Sequence, residues 1–531
     1  MTPPLTPPVL TPMVESGAEG FLARVEDAVS GAFDPVASAV SGVVFYTVPL
    51  GGADFPLIVG WLVVAAAVFT VYFRGVQFRK LGVALDLVRG KYSRHSDPGE
   101  ITHFQALSSA VSGTVGLGNI AGVGAAVTLG GPGATFWMIL AGLLGMCTKF
   151  VECTLGVKYR EVHEDGTVSG GPFRYLPVAF ERFGSVVSKG FTTIFAVALL
   201  LFGAIGGNMF QANQTFAQAQ EVTGGEEGFL GSAGSALIFG VVMALLVGAV
   251  ILGGVQSIGK VTSGLVPMMA FIYVGACLLV IIGNITHVGD AFGAIITGAF
   301  NPAGVAGGAV GVLIIGFQRA AFSNEAGVGS APIAHSAVKT RHPVSEGFVA
   351  LFEPFIDTVV ICTMTALTIV IADTAYYSEQ REVVAGGGPT PDGVLVTSDA
   401  FESFLPQFPV VLAIAVALFA FSTLITWSYY SLKAWTALVG RSPAKELGFK
   451  IVFCVFTVIG TVISFGSVVD FADAMLFVCA IFNLLACYLL LPVVRREMRD
   501  FLAGLKSGEI AKVPESERTN PASTLPIIGD E

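Results

Sequence analysis

Eleven apolar runs divide the chain, at about residues 55–74, 104–129, 134–157, 190–217, 233–254, 262–284, 304–336, 347–372, 408–432, 450–468 and 470–493. Each is close to or above the roughly 20 residues a helix needs to cross a bilayer's hydrocarbon core. Inside lipid every backbone N–H and C=O must be paired within the chain, which leaves only helices and closed barrels. A barrel would show shorter segments of alternating polarity instead. Only 12% of the residues are charged, against about 25% in soluble domains. The expected fold is an all-α polytopic membrane protein of about 11 transmembrane helices, numbered here spans 1 to 11 in chain order.

The basic residues predict the orientation. With the N-terminus outside, every Lys and Arg falls on the cytoplasmic side except Arg24 and Arg381 outside and Lys149 and Arg319 within spans. This is the positive-inside pattern, and it places the chain as a multi-pass protein of the cell membrane with a cytoplasmic C-terminus. The first stretch, MTPPLTPPVLTPM, lacks the basic and apolar regions of a signal peptide and reads as a disordered tail. Residues 22–47 read as an amphipathic segment at the interface, and 373–407 as a solvated acidic outer loop. No Lys/Arg cluster suggests nucleic acid. No nucleophile–base pair, zinc motif or phosphate loop suggests an enzyme. The seven cysteines lie in apolar runs and read as packing residues.

Two spans carry sequences that a straight helix would avoid. Span 2 contains TVGLGNIAGV at 114–123, and span 7 contains GFQRAAFSNEAGVGSAPIAHS at 316–336. Glycine costs a helix interior about 1 kcal/mol relative to alanine, and a buried amide such as Asn119 must find a partner. Non-helical backbone survives at membrane depth only when it is buried in protein or lines a cavity. Both spans are therefore expected to break, with the second half of span 7 starting near Ala331–Pro332. The breaks lie five spans apart. Spans 2–6 and 7–11 then form two sets of five of opposite orientation, a 5+5 inverted repeat with span 1 as an extra N-terminal helix. The corresponding segments are 1–50 (tail and interfacial segment), 51–100 (extra helix and cytoplasmic loop), 101–300 and 301–495 (the repeats) and 496–531 (cytoplasmic tail). Paired broken helices point to the binding site of a secondary transporter. Freed N–H groups suit a carboxylate, and freed carbonyls suit a cation. A zwitterionic amino acid offers both charges.

The motifs GTVGLGNIAGV, GGPGATFWM and FSNEAGVGSAPIAH resemble those of the alanine/glycine:cation symporter family, over about residues 50–495. The resemblance implies a LeuT-type fold and uptake of small neutral amino acids, chiefly alanine and glycine, driven by Na⁺. It implies no cofactor besides Na⁺ as coupling ion, and no partner besides the substrate and the lipid bilayer; it leaves the oligomeric state open. VGLGN at 115–119 also resembles the unwound first core helix of sodium-coupled amino-acid transporters. That likeness places the substrate at Thr114, Gly116, Leu117, Gly118 and Thr423, with the backbone of Val115 to Gly118 around the carboxylate. It places the cation at Ser112, Val115 and Asn119, joined by the adjacent hydroxyls of Ser422 and Thr423 in FSTLITWSYYS. Trp427, one turn from Thr423, is expected to wall the pocket. Gln211, in the amide-rich GGNMFQANQTF of span 4, and Phe322 and Asn324 at the second break complete the candidates. Lys149 and Glu152 are expected to pair or to reach the inner interface, and Arg319 and Glu325 to tie span 7 to its neighbours. Glu353 and Asp357 form either a cation or proton site or a network with Arg319. His335 lies in the long motif, where a gating role stays open. Proton coupling, or a sensor or channel without coupled turnover, are the alternative functions.

Overall fold

The computed structural model describes residue 31, residue 35 and residues 38–518, apart from 165, 302–304, 306, 391 and 464–465. The expected N-terminal tail, most of the interfacial segment and the end of the C-terminal tail lie outside the described residues. Among the described residues, helices run through each of the apolar stretches. Span 1 is Leu57–Tyr72, entered through a short hairpin in which Thr47–Leu50 pairs antiparallel with Ala53–Pro56. Span 3 is Ala134–Lys158, span 4 Ser185–Val222, span 5 Ala233–Ile251 and span 6 Gly254–Gly283. Span 8 is Pro343–Ala372, span 9 Phe408–Val439, span 10 Pro443–Gly460 and span 11 Gly466–Ser507. Among the described residues, seven helices are long and apolar enough to cross a membrane, or eight with one bent pair taken as a single span.

That bent pair is span 2. Helix His103–Thr114 ends, a 3₁₀ turn covers Leu117–Asn119, and helix Ala121–Gly130 resumes; the two halves are bent by 60°. Span 7 breaks as well. Helix Gly308–Asn324 stops at Glu325, whose φ of 55° is left-handed, and Ala331–His335 follows with Pro332 in its first turn. Proline suits that position because its missing N–H would have no partner there.

Lipid offers helices no hydrophobic reason to associate, so close packing through small residues holds them. Span 3 is the hub of that packing, against spans 1, 7 and 8. Gly156 faces Pro332, and Gly347 faces Thr154 and the carbonyl of Phe150, at distances that leave no room for a β-carbon. Spans 5, 6 and 10 form the periphery, where Leu245, Phe271, Ile282 and Ile451 point outward, as lipid contact requires.

Two segments differ from the sequence expectation. The stretch 373–407 is not a solvated loop: it forms helices Ala375–Ala385 and Gly393–Glu402. Val394, Val396, Ala400 and Phe401 bury one face of the second helix against Ala121–Gly130. Gly393 and Gly124 meet backbone to backbone there, and a β-carbon on Gly124 would stand 2.2 Å from the Gly393 carbonyl oxygen. The second difference is the end of span 11, expected at about residue 493. Span 11 continues to Ser507, and the chain then docks on the loop after span 1, with the Val513 N–H donating to the Lys91 carbonyl at 2.8 Å.

Candidate functional site

The interruption of span 2 is held from three sides. The Asn119 side chain accepts from the Gly116 N–H at 3.0 Å, so the asparagine caps the turn that its own glycines open. The Leu117 N–H donates to Gln211 Oε1 of span 4 at 3.2 Å. On the side of span 9, Thr423 Oγ1 lies 3.0 Å from the Ser112 carbonyl oxygen and 3.4 Å from that of Val115. Ser112 Oγ in turn donates to the Ser422 carbonyl at 2.7 Å. Three of the expected cation ligands, Ser112, Val115 and Thr423, thus converge. The other two lie apart from them. The Ser422 hydroxyl donates to the Phe419 carbonyl at 2.9 Å, and Asn119 faces span 8.

Gly116 makes the convergence possible. A β-carbon there would lie 2.6 Å from Thr423 Oγ1 and 3.1 Å from Gln211 Nε2. The sulfur-free, oxygen-only character of the convergence suits a hard monovalent cation, as unwound carbonyls do elsewhere in broken transport helices.

Beside the break lies a cavity of about 20 Å³, room for about one water molecule. Thr114, Gly118, Gln211, Phe322, Thr423 and Trp427 line it, six of the nine residues expected to touch substrate. Gly116 and Leu117 form the adjoining backbone. Asn324 does not line it: its amide donates to Thr358 Oγ1 and accepts from the Ala326 N–H, both at 2.9 Å. Interlocked rings close the cavity. Phe202 meets Trp427 edge-on at 4.5 Å between centroids, and Phe210 meets Phe322 at 5.8 Å. Gly203 admits the Trp427 ring, since a β-carbon there would stand 2.5 Å from it. Phe202 sits among ordinary apolar residues and Phe210 within the amide-rich stretch, and nothing local to either in the sequence marks it as part of the site.

Glu325 ties span 7 to a neighbour, span 9, and does so inside the cavity. This fully enclosed carboxylate lines the cavity; one oxygen accepts from Trp427 Nε1 at 3.2 Å and the other from Ser330 Oγ. Trp427 Nε1 also reaches the Gly113 carbonyl at 3.2 Å, so the indole bridges both breaks. Arg319 pairs with Asp473 at 3.5 Å, and not with Glu353 or Asp357. Asp357 accepts from Asn119 Nδ2 at 2.7 Å, Ser323 Oγ at 2.8 Å and Thr358 Oγ1 at 2.7 Å. One carboxylate of span 8 therefore holds both breaks together. Lys149 pairs with Glu353 at 2.9 Å, while Glu152 accepts from Asn483 of span 11 at 2.5 Å.

Known proteins share this architecture. A family model described as the sodium:alanine symporter family matches residues 47–515. The sodium/alanine symporter AgcS of Methanococcus maripaludis is 37% identical over 431 residues, covering 80% of this chain and 90% of its own. A probable sodium/glutamine symporter of Bacillus subtilis, GlnT, is 31% identical, covering 84% and 89%. A putative sodium/proton-dependent alanine carrier of the same organism, YrbD, is 32% identical, covering 83% and 88%. Among solved structures, that of MhsT in complex with L-phenylalanine superposes with a TM-score of 0.51 at 15% identity, over 72% of this chain and 88% of that one; the likeness is one of fold.

Proposed function

The chain belongs to the sodium:alanine symporter family, and from that premise we propose that it carries small neutral amino acids, alanine and glycine foremost, into the cell together with Na⁺. The family is one of transporters, not enzymes, and its members are multi-pass membrane proteins that couple amino-acid movement to a cation. The observation that carries the finer reading is the junction of Thr423 with the carbonyls of Ser112 and Val115. A cation there joins span 9 to the break of span 2. The same break turns the Leu117 N–H toward Gln211 at the edge of a small cavity walled by rings.

In this reading Na⁺ fixes the break in its docked geometry, and the docked break presents N–H groups to the substrate carboxylate. Each ligand then raises the affinity for the other by the same factor. The rings of Phe202, Phe210, Phe322 and Trp427 part to admit an amino acid and leave little volume for its side chain, which favours alanine and glycine. Eleven spans in a 5+5 inverted repeat, with the basic ends cytoplasmic and the N-terminus outside, complete the arrangement. The bundle of spans 2, 3, 7 and 8 rocks against the other core helices to expose the site on alternate sides.

The test is radiolabelled alanine uptake into proteoliposomes, driven by an inward Na⁺ gradient or by an inward H⁺ gradient. Accumulation above equilibrium with Na⁺ alone is the expected result. Accumulation with H⁺ alone would overturn the sodium assignment and turn attention to Asp357, whose hydrogen bonds all come from neutral side chains. Flux of Na⁺ without amino acid would point to a channel. Gly116→Ala is a sharper check on the geometry. Its β-carbon would push Thr423 off the two carbonyls, so uptake is expected to fall at least about tenfold, the effect of losing roughly 1.4 kcal/mol. Normal uptake by this variant would show that the junction is not the cation site.

A further inference from the structure

A cavity of about 250 Å³ lies away from the breaks, where the connection between spans 3 and 4 meets the end of span 9. Ser169, Arg174, Thr192, Lys433, Thr436 and Arg441 stand in its wall, and among the described residues no carboxylate does. Part of that wall is the sequence SGGPFR, 169–174. Gly171 turns the chain there with a φ of 82°, and helix Pro172–Phe180 starts behind it with no side chain capping its first turn. Pro172 has no N–H, and the Arg174 N–H turns back to the Gly171 carbonyl at 3.0 Å. That leaves the N–H of the wall residue Phe173 without a partner among the described residues. Lys433 Nζ gives one N–H to the Val168 carbonyl at 2.8 Å and stands 5.1 Å from the centre of the Tyr429 ring. An ammonium has three donors, so two are left without a protein acceptor among the described residues. Three carboxylates neighbour these cations. Glu161 pairs with Arg174 at 2.5 Å, Glu100 accepts from the Val168 N–H at 2.7 Å, and Glu446 acts on Lys433 from span 10. None of the three lines the cavity.

We propose that this cavity binds a phosphate group, carried by an anionic phospholipid of the cytoplasmic leaflet or by a soluble phosphate. The donors fit that group. A guanidinium offers paired N–H groups that match phosphate oxygens, an ammonium adds a point charge, and the start of a helix adds backbone N–H groups with the helix dipole behind them. They come from two elements on different sides of the cavity, and a tetrahedral anion has oxygens for both. The wall hydroxyls keep the place polar but are already donating: Thr192 to the Ser188 carbonyl at 2.8 Å and Thr436 to the Lys433 carbonyl at 3.1 Å. The volume is far above what one water molecule needs. Basic pockets between helices at the cytoplasmic face are where anionic headgroups bind. In the orientation proposed above this end is cytoplasmic, and Ile194 and Val197, close to Thr192 on span 4, point outward where acyl chains lie.

The placement gives the site its effect. A phosphate there ties the connection between spans 3 and 4 to the end of span 9. The same connection packs on the second half of span 7: a β-carbon on Gly170 would stand 2.2 Å from Ser336 Cβ, and one on Gly171 2.8 Å from Ile333 Cγ1. A ligand held only by the folded arrangement adds to its stability by mass action, so an occupied cavity secures these elements together.

The full-length protein in a non-ionic detergent, free of phosphate and sulfate, tests this. Its melting temperature is expected to rise by about 2 °C or more on adding phosphatidylglycerol, and not on adding phosphatidylcholine, whose headgroup has no net charge. Inorganic phosphate, set against chloride at equal ionic strength, is the second arm. A rise there without one from phosphatidylglycerol assigns the site to a soluble phosphate. Titration of the bound anion by native mass spectrometry should show affinity about tenfold weaker in Lys433→Gln. Ala437→Glu, at an exposed position of the wall, leaves Lys433 in place and should weaken binding as well, so it decides the matter if Lys433→Gln does not fold. Lys506→Gln removes an exposed lysine outside the cavity and should keep the wild-type response. No rise with either ligand, or variants at 433 and 437 that respond like the wild type, overturns the proposal. None of these readouts involves transport, so absence of alanine uptake under every gradient counts against the transport reading alone.

Discussion

Thr423→Val is expected to weaken Na⁺-driven accumulation of alanine about tenfold to hundredfold at limiting Na⁺ while leaving a folded protein. Valine keeps the shape of threonine and removes the one oxygen that stands within 3.4 Å of both the Ser112 and Val115 carbonyls. A lost hydrogen-bonding or ligating group at a buried site costs roughly 1–3 kcal/mol, which is about tenfold to hundredfold in binding. The half-saturating Na⁺ concentration should rise by that factor. Because the coupling is reciprocal, alanine affinity at fixed Na⁺ should fall with it. Thr423→Ser, which keeps the hydroxyl, should restore most of the activity. Uptake measured across a Na⁺ titration for the three proteins decides the matter: an unchanged Na⁺ dependence in the valine variant would place the cation elsewhere.

Lys149→Met should damage the protein more broadly. Its ammonium is fully buried and pairs with Glu353 at 2.9 Å. Removing one partner of a buried pair leaves the other charge uncompensated, at a cost of about 3–5 kcal/mol. That is a large part of the roughly 5–15 kcal/mol that keeps a typical domain folded. The expected result is a sharply lower melting temperature in detergent and little monodisperse protein on gel filtration. The double variant Lys149→Met/Glu353→Gln should recover part of the loss, since the unpaired charge is then gone. A single variant as stable as the wild type would show that water or a neighbouring proton already compensates Glu353.

The breaks were legible because they violate local rules. Glycines around Asn119 in an apolar run cannot be explained by helix propensity, and Glu325 with two glycines and Pro332 in span 7 is equally foreign to a lipid-facing helix. Thr423 and Trp427 were found through family likeness and helical spacing together. Much else depended on partners that sequence does not pair. Nothing in PFIDT shows that Asp357 reaches Asn119, more than two hundred positions away. Proximity in the chain suggested that Lys149 would pair with Glu152, yet the ammonium takes Glu353 and leaves Glu152 to Asn483. The helix Gly393–Glu402 was hidden by polar flanks, although Val394, Val396 and Phe401 carry its buried surface. Asn324 looked like a substrate ligand by its place in the break, and the fold spends its amide on Thr358 and Ala326.

Spans 4 and 8 each contain a stretch wound as π-helix, Phe202–Gly206 and Phe355–Cys362, and both stretches lie against the site. Such widened turns hold extra residues and are found at functional positions. One residue of α-helix corresponds to about 100° of rotation. Each widened turn therefore sets the angular phase between the two ends of its span: Asp357 faces the breaks while the residues beyond Cys362 keep their own packing against span 6. Deleting a single residue from either stretch would let the turn relax to ordinary α-helix without breaking the rod. Winding all the same residues as ordinary α-helix would instead swing one end of that rod by nearly a third of a turn for each extra residue, so the widened turns are what keeps the two ends of each span in phase.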